Sequence, residues 1–327
     1  MIITRTPFRI SFFGGGTDYP AWYRKEGGAV LSTTIDKYCY LTCRYLPPFF
    51  SEVKHRIVWR HVETVSNIGD ILHPAVREGL QYLGFDDSKG LEIHYQGDMP
   101  ARSGMGSSSA FAVGLIKGLM ALRGETVSKH ELALRAIDLE QNVLKEDVGS
   151  QDQVAAAYGG LNVIRFAQNG DIHVEPLALP PSRLEELQAS LMLYYTGTSR
   201  TASAVAADVV ANIPGKQDLL RKMHALVDRA VGILRGKSDL DEFGRLLDET
   251  WHLKRQQSAR VTNPVVDGIY QKAMDNGALG GKLLGAGTSG FMVFYVKPAN
   301  QVQMKKALSN HLHVPFKFET EGCTLDY

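Results

Sequence analysis

Pro100-Ala-Arg-Ser-Gly104-Met-Gly106-Ser107-Ser108-Ser109-Ala110 is the stretch on which the fold turns. It follows the alternating, strand-like run Leu91 to Gln96 and leads into the apolar run Ala110 to Leu122, which reads as a helix. A glycine turn therefore delivers three hydroxyls to the first turn of a helix. The unpaired N–H groups and positive dipole end of such a helix form an anion site, most often for phosphate. The plainer alternative is a strand-to-helix loop with a serine N-cap. Two common phosphate loops are excluded by spelling. No lysine follows Gly106, and Gly281-Lys282 is followed by Leu283 and has Asn276 where a Walker A loop needs its first glycine. The cluster Gly14-Gly15-Gly16-Thr17-Asp18-Tyr19 has tyrosine where a dinucleotide fingerprint needs its last glycine.

Bulk properties narrow the field. A chain of 327 residues suits one large domain or two with substantial cores. A formal net charge of +1 supplies no global field for nucleic acid or an anionic membrane, so neither is expected as a partner. The three cysteines, Cys39, Cys43 and Cys323, lack Cys-x-x-Cys spacing, which argues against a disulfide framework and a zinc site. Cys39 and Cys43 read as buried packing residues. The first residues carry two arginines and a proline, unlike a signal peptide, and the longest apolar helix is broken by Lys117. A soluble cytoplasmic protein is the expectation.

The first half alternates strands and helices. Ile10 to Phe13, Ala29 to Ile35, Tyr38 to Tyr45 and Ile57 to His61 read as strands, and Pro74 to Leu83, Ser109 to Leu122 and Lys129 to Leu144 as helices. Leu161 to Phe166 and Ile172 to Glu175 read as a hairpin through Asn169-Gly170. Pro180-Pro181 is the expected domain boundary, dividing 1–180 from 181–327. Beyond it come a strand, Ala189 to Tyr195, helices broken near Pro214-Gly215 and Gly236-Lys237, a helix opened by Asn263-Pro264, and the strand Gly290 to Val296. The class is α+β in both halves.

Three further features bear on chemistry. Glu140 interrupts the apolar stripe Ala133, Ala136, Ile137, Val143, Leu144 of its helix. A carboxylate there is costly unless paired or bound to metal, and a magnesium ligand competes with a salt-bridged glutamate. Asp152, in Gly149-Ser-Gln-Asp152-Gln153, stands between a glycine turn and a small apolar run, placed to face inward or to cap the helix Gln153 to Tyr158. Gly14-Gly15-Gly16-Thr17-Asp18 offers close backbone approach and a carboxylate, as a sugar site requires, though it also suits an ordinary turn. Gly280 to Gly290 forms a second glycine-rich loop, structural or ligand-facing.

Arg9 with Gly14 to Asp18, Pro100 to Ala110, Glu140 with Asp152, and Gly285-Ala-Gly287-Thr-Ser-Gly290 resemble, in that order, the motifs of the GHMP small-molecule kinases. The resemblance runs from about Thr6 to the end of the chain, and the central motif is specific. Phe13-Gly-Gly-Gly-Thr-Asp-Tyr19 departs from the Gly-Glu-His-Thr-Asp-Tyr of galactokinases. It looks like the sugar-1-kinase branch that includes heptose 7-phosphate kinases and fucokinases; length and Gly149 to Gln153 are most like the former.

The resemblance implies a two-domain fold, with an N-terminal α/β domain like ribosomal protein S5 and a ferredoxin-like C-terminal α+β domain. It implies ATP-dependent phosphorylation of the anomeric hydroxyl of a sugar phosphate, D-glycero-D-manno-heptose 7-phosphate before L-fucose or a uronic acid. ATP phosphates are expected on Arg102, Ser103, Gly104, Met105, Gly106, Ser107, Ser108 and Ser109, with Mg²⁺ on Ser108 and Glu140. Asp152 is expected to take or offset the acceptor proton, Arg9 to approach Asp152, and Gly15, Gly16, Thr17, Asp18, Gly287 and Thr288 to meet the substrate. Thr288-Ser289 replaces the more usual glycines of the third motif. For an acceptor phosphate, Arg102, Arg200, Lys254 and Lys282 are open. A monomer or homodimer is expected. A same-fold decarboxylase and a non-catalytic sugar sensor are the readings from other classes; the sugar-type turn and the intact Ser108, Glu140, Asp152 set speak against them.

Overall fold

The computed structural model describes residues 1–47, 49, 54–197 and 202–326. Its first half runs β1 (Ile2–Phe13), α1 (Pro20–Glu26), β2 (Gly28–Tyr45), β3 (His55–Val58), β4 (Val62–Val65), α2 (Pro74–Tyr82), β5 (Leu91–Gly97), α3 (Ser107–Leu122), α4 (Lys129–Asp138), α5 (Gln151–Tyr158), β6 (Leu161–Phe166) and β7 (Ile172–Pro176). β1 and β2 pair antiparallel almost end to end, and β2 is one strand of 18 residues where two were expected. A register shift between Pro7 and Phe8 absorbs the irregularity, and places the proline at a bulge where its missing N–H does no harm. β2 takes β5 along its second half and β6 along its first. The strand expected over Ile57 to His61 is instead a reversal: Trp59 N donates to His61 O, and β3 pairs antiparallel with β4. The hairpin through Gly170, at φ 97°, forms as expected.

α3 is buried nearly throughout, against β1 and β2. Gly114 and Gly118 permit that approach: a Cβ at 114 would stand 2.8 Å from Thr6 Oγ1, and one at 118 would stand 3.2 Å from Cys43 Sγ. All three cysteines are free and buried. The helix expected to run to Leu144 is α-helical only to Asp138, then widens into one π-turn, Leu139–Val143. Such a turn inserts a residue into the helical ladder and recurs at functional sites. Here it carries Glu140.

The second half runs α6 (Pro181–Ala189), β8 (Leu191–Tyr195), α7 (Ala202–Asn212), α8 (Gln217–Arg235), α9 (Asp241–Lys254), α10 (Pro264–Met274), β9 (Ala278–Leu283), β10 (Phe291–Val296), α11 (Gln301–Ala307), β11 (His313–Val314), β12 (Phe318–Glu319) and β13 (Thr324–Asp326). Its sheet has the order β11-β8-β10-β9. α6 and β9 escape the sequence reading. Pro181 opens α6, a position that suits its fixed φ. Gly280 and Gly281, read as loop, lie in β9, where a Cβ on Gly280 would strike Gly244 O of α9 at 2.0 Å.

The halves share a core, with a second cluster of buried residues confined to the second half: in the shared core Phe12 and Phe13 meet Phe243 of α9 edge-on at 5.4 and 5.1 Å. The chain end also crosses back, β12 onto β2 and β13 onto β1. A division at 180/181 therefore does not separate the two sheets. The returning segment grips α5, with Cys323 N donating to Ala156 O at 2.9 Å. No described helix is long and apolar enough to cross a membrane.

That grip depends on Gly159, at φ 71°, where a Cβ would lie 2.0 Å from Glu321 C. Gly159→Ala should lower stability by about 2–4 kcal/mol through left-handed strain plus overpacking. Gly124→Ala, at φ 77° with open space around it, should cost only about 1 kcal/mol. Urea unfolding of both variants checks this; equal losses would show that the returning segment does not press on α5.

Candidate active site

Gly106, at φ 75°, occupies the N-cap of α3, so the expected serine cap is replaced by a left-handed glycine and no side chain caps the helix. The amides of its first turn, Ser107, Ser108 and Ser109, thus lack intrahelical partners and point into the loop. Ser107 Oγ instead accepts from Arg102 N at 2.9 Å, folding the loop on itself. Arg102 and Ser108 are exposed, whereas Ser103 and Met105 are fully buried. The Met105 side chain and the Ser103 hydroxyl therefore face the core, away from any ligand on the loop.

Behind Ser108 lies Glu140, completely buried. Its carboxylate accepts from Ser108 Oγ (2.7 Å), Ser109 Oγ (2.6 Å) and Gln153 Nε2 (2.6 Å). Burial pushes its carboxyl up to about 7, against the pull of those three donors. Gln153 is also buried, and its Oε1 has no partner. Among the described residues no group of three His, Cys, Asp or Glu could hold a metal, so a cation here would lean on Glu140, Ser108 and a ligand's own oxygens.

Arg9 and Asp152, 143 residues apart, form a two-pronged ion pair: Nε to Oδ1 at 2.7 Å and Nη2 to Oδ2 at 2.6 Å. Arg9 Nη1 donates to Gly104 O at 2.7 Å, and Arg9 N to Met105 O at 3.1 Å. The guanidinium thereby joins the phosphate-type loop to the carboxylate. Asp152 lies in the first turn of α5, whose N-cap is Ser150, so its capping role is excluded. A Cβ on Gly106 would come within 3.4 Å of Asp152 Oδ2.

On the far side is the turn Gly14 to Asp18. Asp18 is buried; its Oδ1 accepts from Gly16 N at 2.9 Å. Burial, then the neighbouring Asp152 charge, raise its carboxyl. Thr17 corrects its expected role: it is fully buried, its single hydroxyl proton facing Gly14 O and Ala29 O while Oγ1 accepts from Ala29 N. It holds the turn to β2 and presents nothing to a ligand. Gly15 O accepts from Gln257 Nε2 at 3.2 Å, a contact with no sequence signal.

The second glycine loop also departs from expectation. A Cβ on Gly285 would meet Gly104 Cα at 2.4 Å, and one on Gly290 would meet Ser103 O at 2.1 Å. These glycines let one backbone rest on another. Gly287 packs on Val261, and Thr288 is tied to Val261 O, Arg260 O and Asn263, so neither reaches for a substrate. Lys254 and Lys282 are buried and donate to backbone carbonyls; Arg200 lies outside the described residues.

Because Glu140 holds its proton more tightly when folded than its ordinary value of 4.5, the native state carries an extra proton between about pH 4.5 and 7. Its contribution to stability therefore falls as pH rises through that window. Glu140→Gln should remove that slope, since a flipped Gln153 can offer its free Oε1 to the new amide. Urea unfolding at pH 5 and pH 8 measures it; equal pH dependence in both proteins would contradict the assignment.

Comparison with known proteins agrees with this arrangement. The profile "GHMP kinases N terminal domain" matches residues 70–160, and "GHMP kinases C terminal" matches 224–313. A D-glycero-alpha-D-manno-heptose 7-phosphate kinase of Campylobacter jejuni is 30% identical over 98% of this chain and 97% of its own. The bifunctional fucokinase/GDP-fucose pyrophosphorylase of Arabidopsis thaliana is 26% identical over 95% of this chain and 31% of its own. The crystal structure of a D-glycero-D-manno-heptose 1-phosphate kinase from Bacteroides thetaiotaomicron superposes with a TM-score of 0.81 at 25% identity, covering 100% of this chain and 99% of the other. Fold, motif order and full-length similarity agree: the chain belongs to the GHMP kinase family, and it is a phosphotransferase with an alcohol group as acceptor.

Proposed function

We propose that this kinase transfers the γ-phosphoryl group of ATP to the anomeric hydroxyl of a sugar phosphate, D-glycero-D-manno-heptose 7-phosphate first, giving the 1,7-bisphosphate. The observation that carries the reading is the position of Asp152. Its carboxylate, gripped by Arg9, stands between the head of the phosphate loop at Gly106 and the buried Asp18 of the acceptor turn. A sugar hydroxyl held at that turn and a terminal phosphate held on that loop would meet beside it. The near-complete mutual coverage with the heptose 7-phosphate kinase supports the acceptor.

In this reading the uncapped amides of α3 and the loop 102–109 hold the triphosphate. Asp18 accepts from sugar hydroxyls, and Gly15 and Gly16 give the ring close backbone approach. The acceptor oxygen forms its bond to the γ-phosphorus as the bond to the β-phosphate bridging oxygen breaks. Its proton passes to Asp152 and then to solvent, and ADP leaves. Arg9 holds the Asp152 carboxylate in place and offsets charge on the moving group. Glu140 and Ser108 fit Mg²⁺, which prefers one or two protein oxygens among phosphates and waters. Bound there, Mg²⁺ would neutralise charge on the β- and γ-phosphates. Among the described candidates for an acceptor phosphate, Arg102 is exposed while both lysines are committed to backbone.

An ADP-release screen over neutral sugars, uronic acids and 7-phosphorylated heptoses tests the acceptor, with NMR locating the new phosphate. The heptose 7-phosphate should turn over fastest and gain phosphate at C1. Preference for L-fucose would move the enzyme to the fucokinase side; phosphate at any other position would refute the anomeric reading. Asp152→Ala should fold, still bind ATP by calorimetry, and lose about 10²–10⁴-fold in kcat. Near-normal turnover would remove Asp152 from its role.

A further inference from the structure

Lys254, the last residue of α9, is buried beneath the site with 6% of its surface exposed. Its ammonium donates to Leu283 O at 2.7 Å and to Gly285 O at 2.5 Å. Gly285 lies directly on Gly104, and Leu284 O stands 2.6 Å from where a Cβ on Gly104 would be. Gly104 O in turn accepts from Arg9, which grips Asp152. Just past the helix, Gln257 donates to Gly15 O. The end of α9 thus reaches, through short contacts, both the phosphate loop and the acceptor turn.

Burying an ammonium is expensive, and an apolar side chain of the same length would fill the space without that cost. The charged groups facing Lys254 are Arg9 from β1 and Asp152 from α5, with Lys282 of β9 nearby. Burial, then Arg9, lower its pKa to about 7, while Asp152 opposes them. The amine is thus held where burial and Arg9 both disfavour its charge. Two carbonyls explain its retention geometrically, because they belong to the turn that must stay pressed on the phosphate loop.

We propose that Lys254 is a positioning residue for phosphoryl transfer: it ties the 283–290 turn against the phosphate loop and so sets where Arg9 and Asp152 stand relative to bound phosphate. Its catalytic consequence rests on the kinase reading above; its structural consequence does not. Two readouts separate them.

Lys254→Met keeps length and volume while removing the donors. Hydrogen exchange of the ligand-free protein should quicken about tenfold or more in segments 283–290 and 102–106, with the strands of the large sheet unchanged. With the acceptor found in the ADP-release screen, kcat should fall about 100-fold, the scale of a 1 Å misplacement, while KM for the sugar moves less than about threefold. Should K254M not fold, K254A with and without propylammonium carries both readouts, the amine restoring slow exchange and part of kcat. Unchanged exchange in those segments, or kcat within about threefold of wild type, overturns the proposal. If the wild-type protein yields no ADP with any sugar, the kinase reading fails, and the exchange comparison alone still decides whether Lys254 holds the turn.

Discussion

The ion pair between Arg9 and Asp152 is the interaction on which the site depends. Arg9 is 4% exposed, and a guanidinium buried so far is tolerable only with a charged, well-aligned partner. Asp152 supplies both carboxylate oxygens, and Gly104 O takes a further N–H. Removing one member of such a pair ordinarily costs about 3–5 kcal/mol, because the other is left buried and alone. The long β1–β2 ladder holds Arg9 opposite Thr34, and the first turn of α5 holds Asp152. Scaffold and site are therefore one requirement: the register of a strand fixes where the carboxylate finds its partner.

Close approach of backbone to backbone is the second requirement. Gly104 meets Gly285, and Ser103 meets Gly290, at distances that leave no room for a Cβ. The two halves of the chain consequently share the floor of the candidate site as well as a core. The 102–109 loop is shaped from below by a turn from the other half, and Gln257 steadies the Gly14 to Asp18 turn from the same side. The returning strands β12 and β13 add a clasp behind α5.

Much of this was legible. The glycine turn ahead of an apolar helix was plain in the sequence, and that helix starts at a left-handed Gly106 with no side-chain cap. Glu140 stood out as a carboxylate on an apolar stripe, and it is fully buried beside Ser108. What could not be read was direction. Thr17 sits in a motif that suggests sugar contact, yet its hydroxyl is turned into the β2 backbone. Gly285 and Gly290 signal close approach, but composition does not say whether a ligand or another backbone approaches. Lys254 and Gln257 look like surface residues at a helix end, because their burial arises only when the halves pack. The π-turn at Leu139–Val143 leaves no compositional mark, since it alters the ladder without altering the residues a helix would use.

The account makes Arg9 and Asp152 a single functional unit, and a double-mutant cycle tests that most directly. Arg9→Met, Asp152→Asn and the double variant would be compared by kcat/KM for the preferred sugar. Each single change should cost nearly as much as both together, so that the two losses are strongly non-additive. Losses that simply add would show the two residues acting independently and would contradict the account.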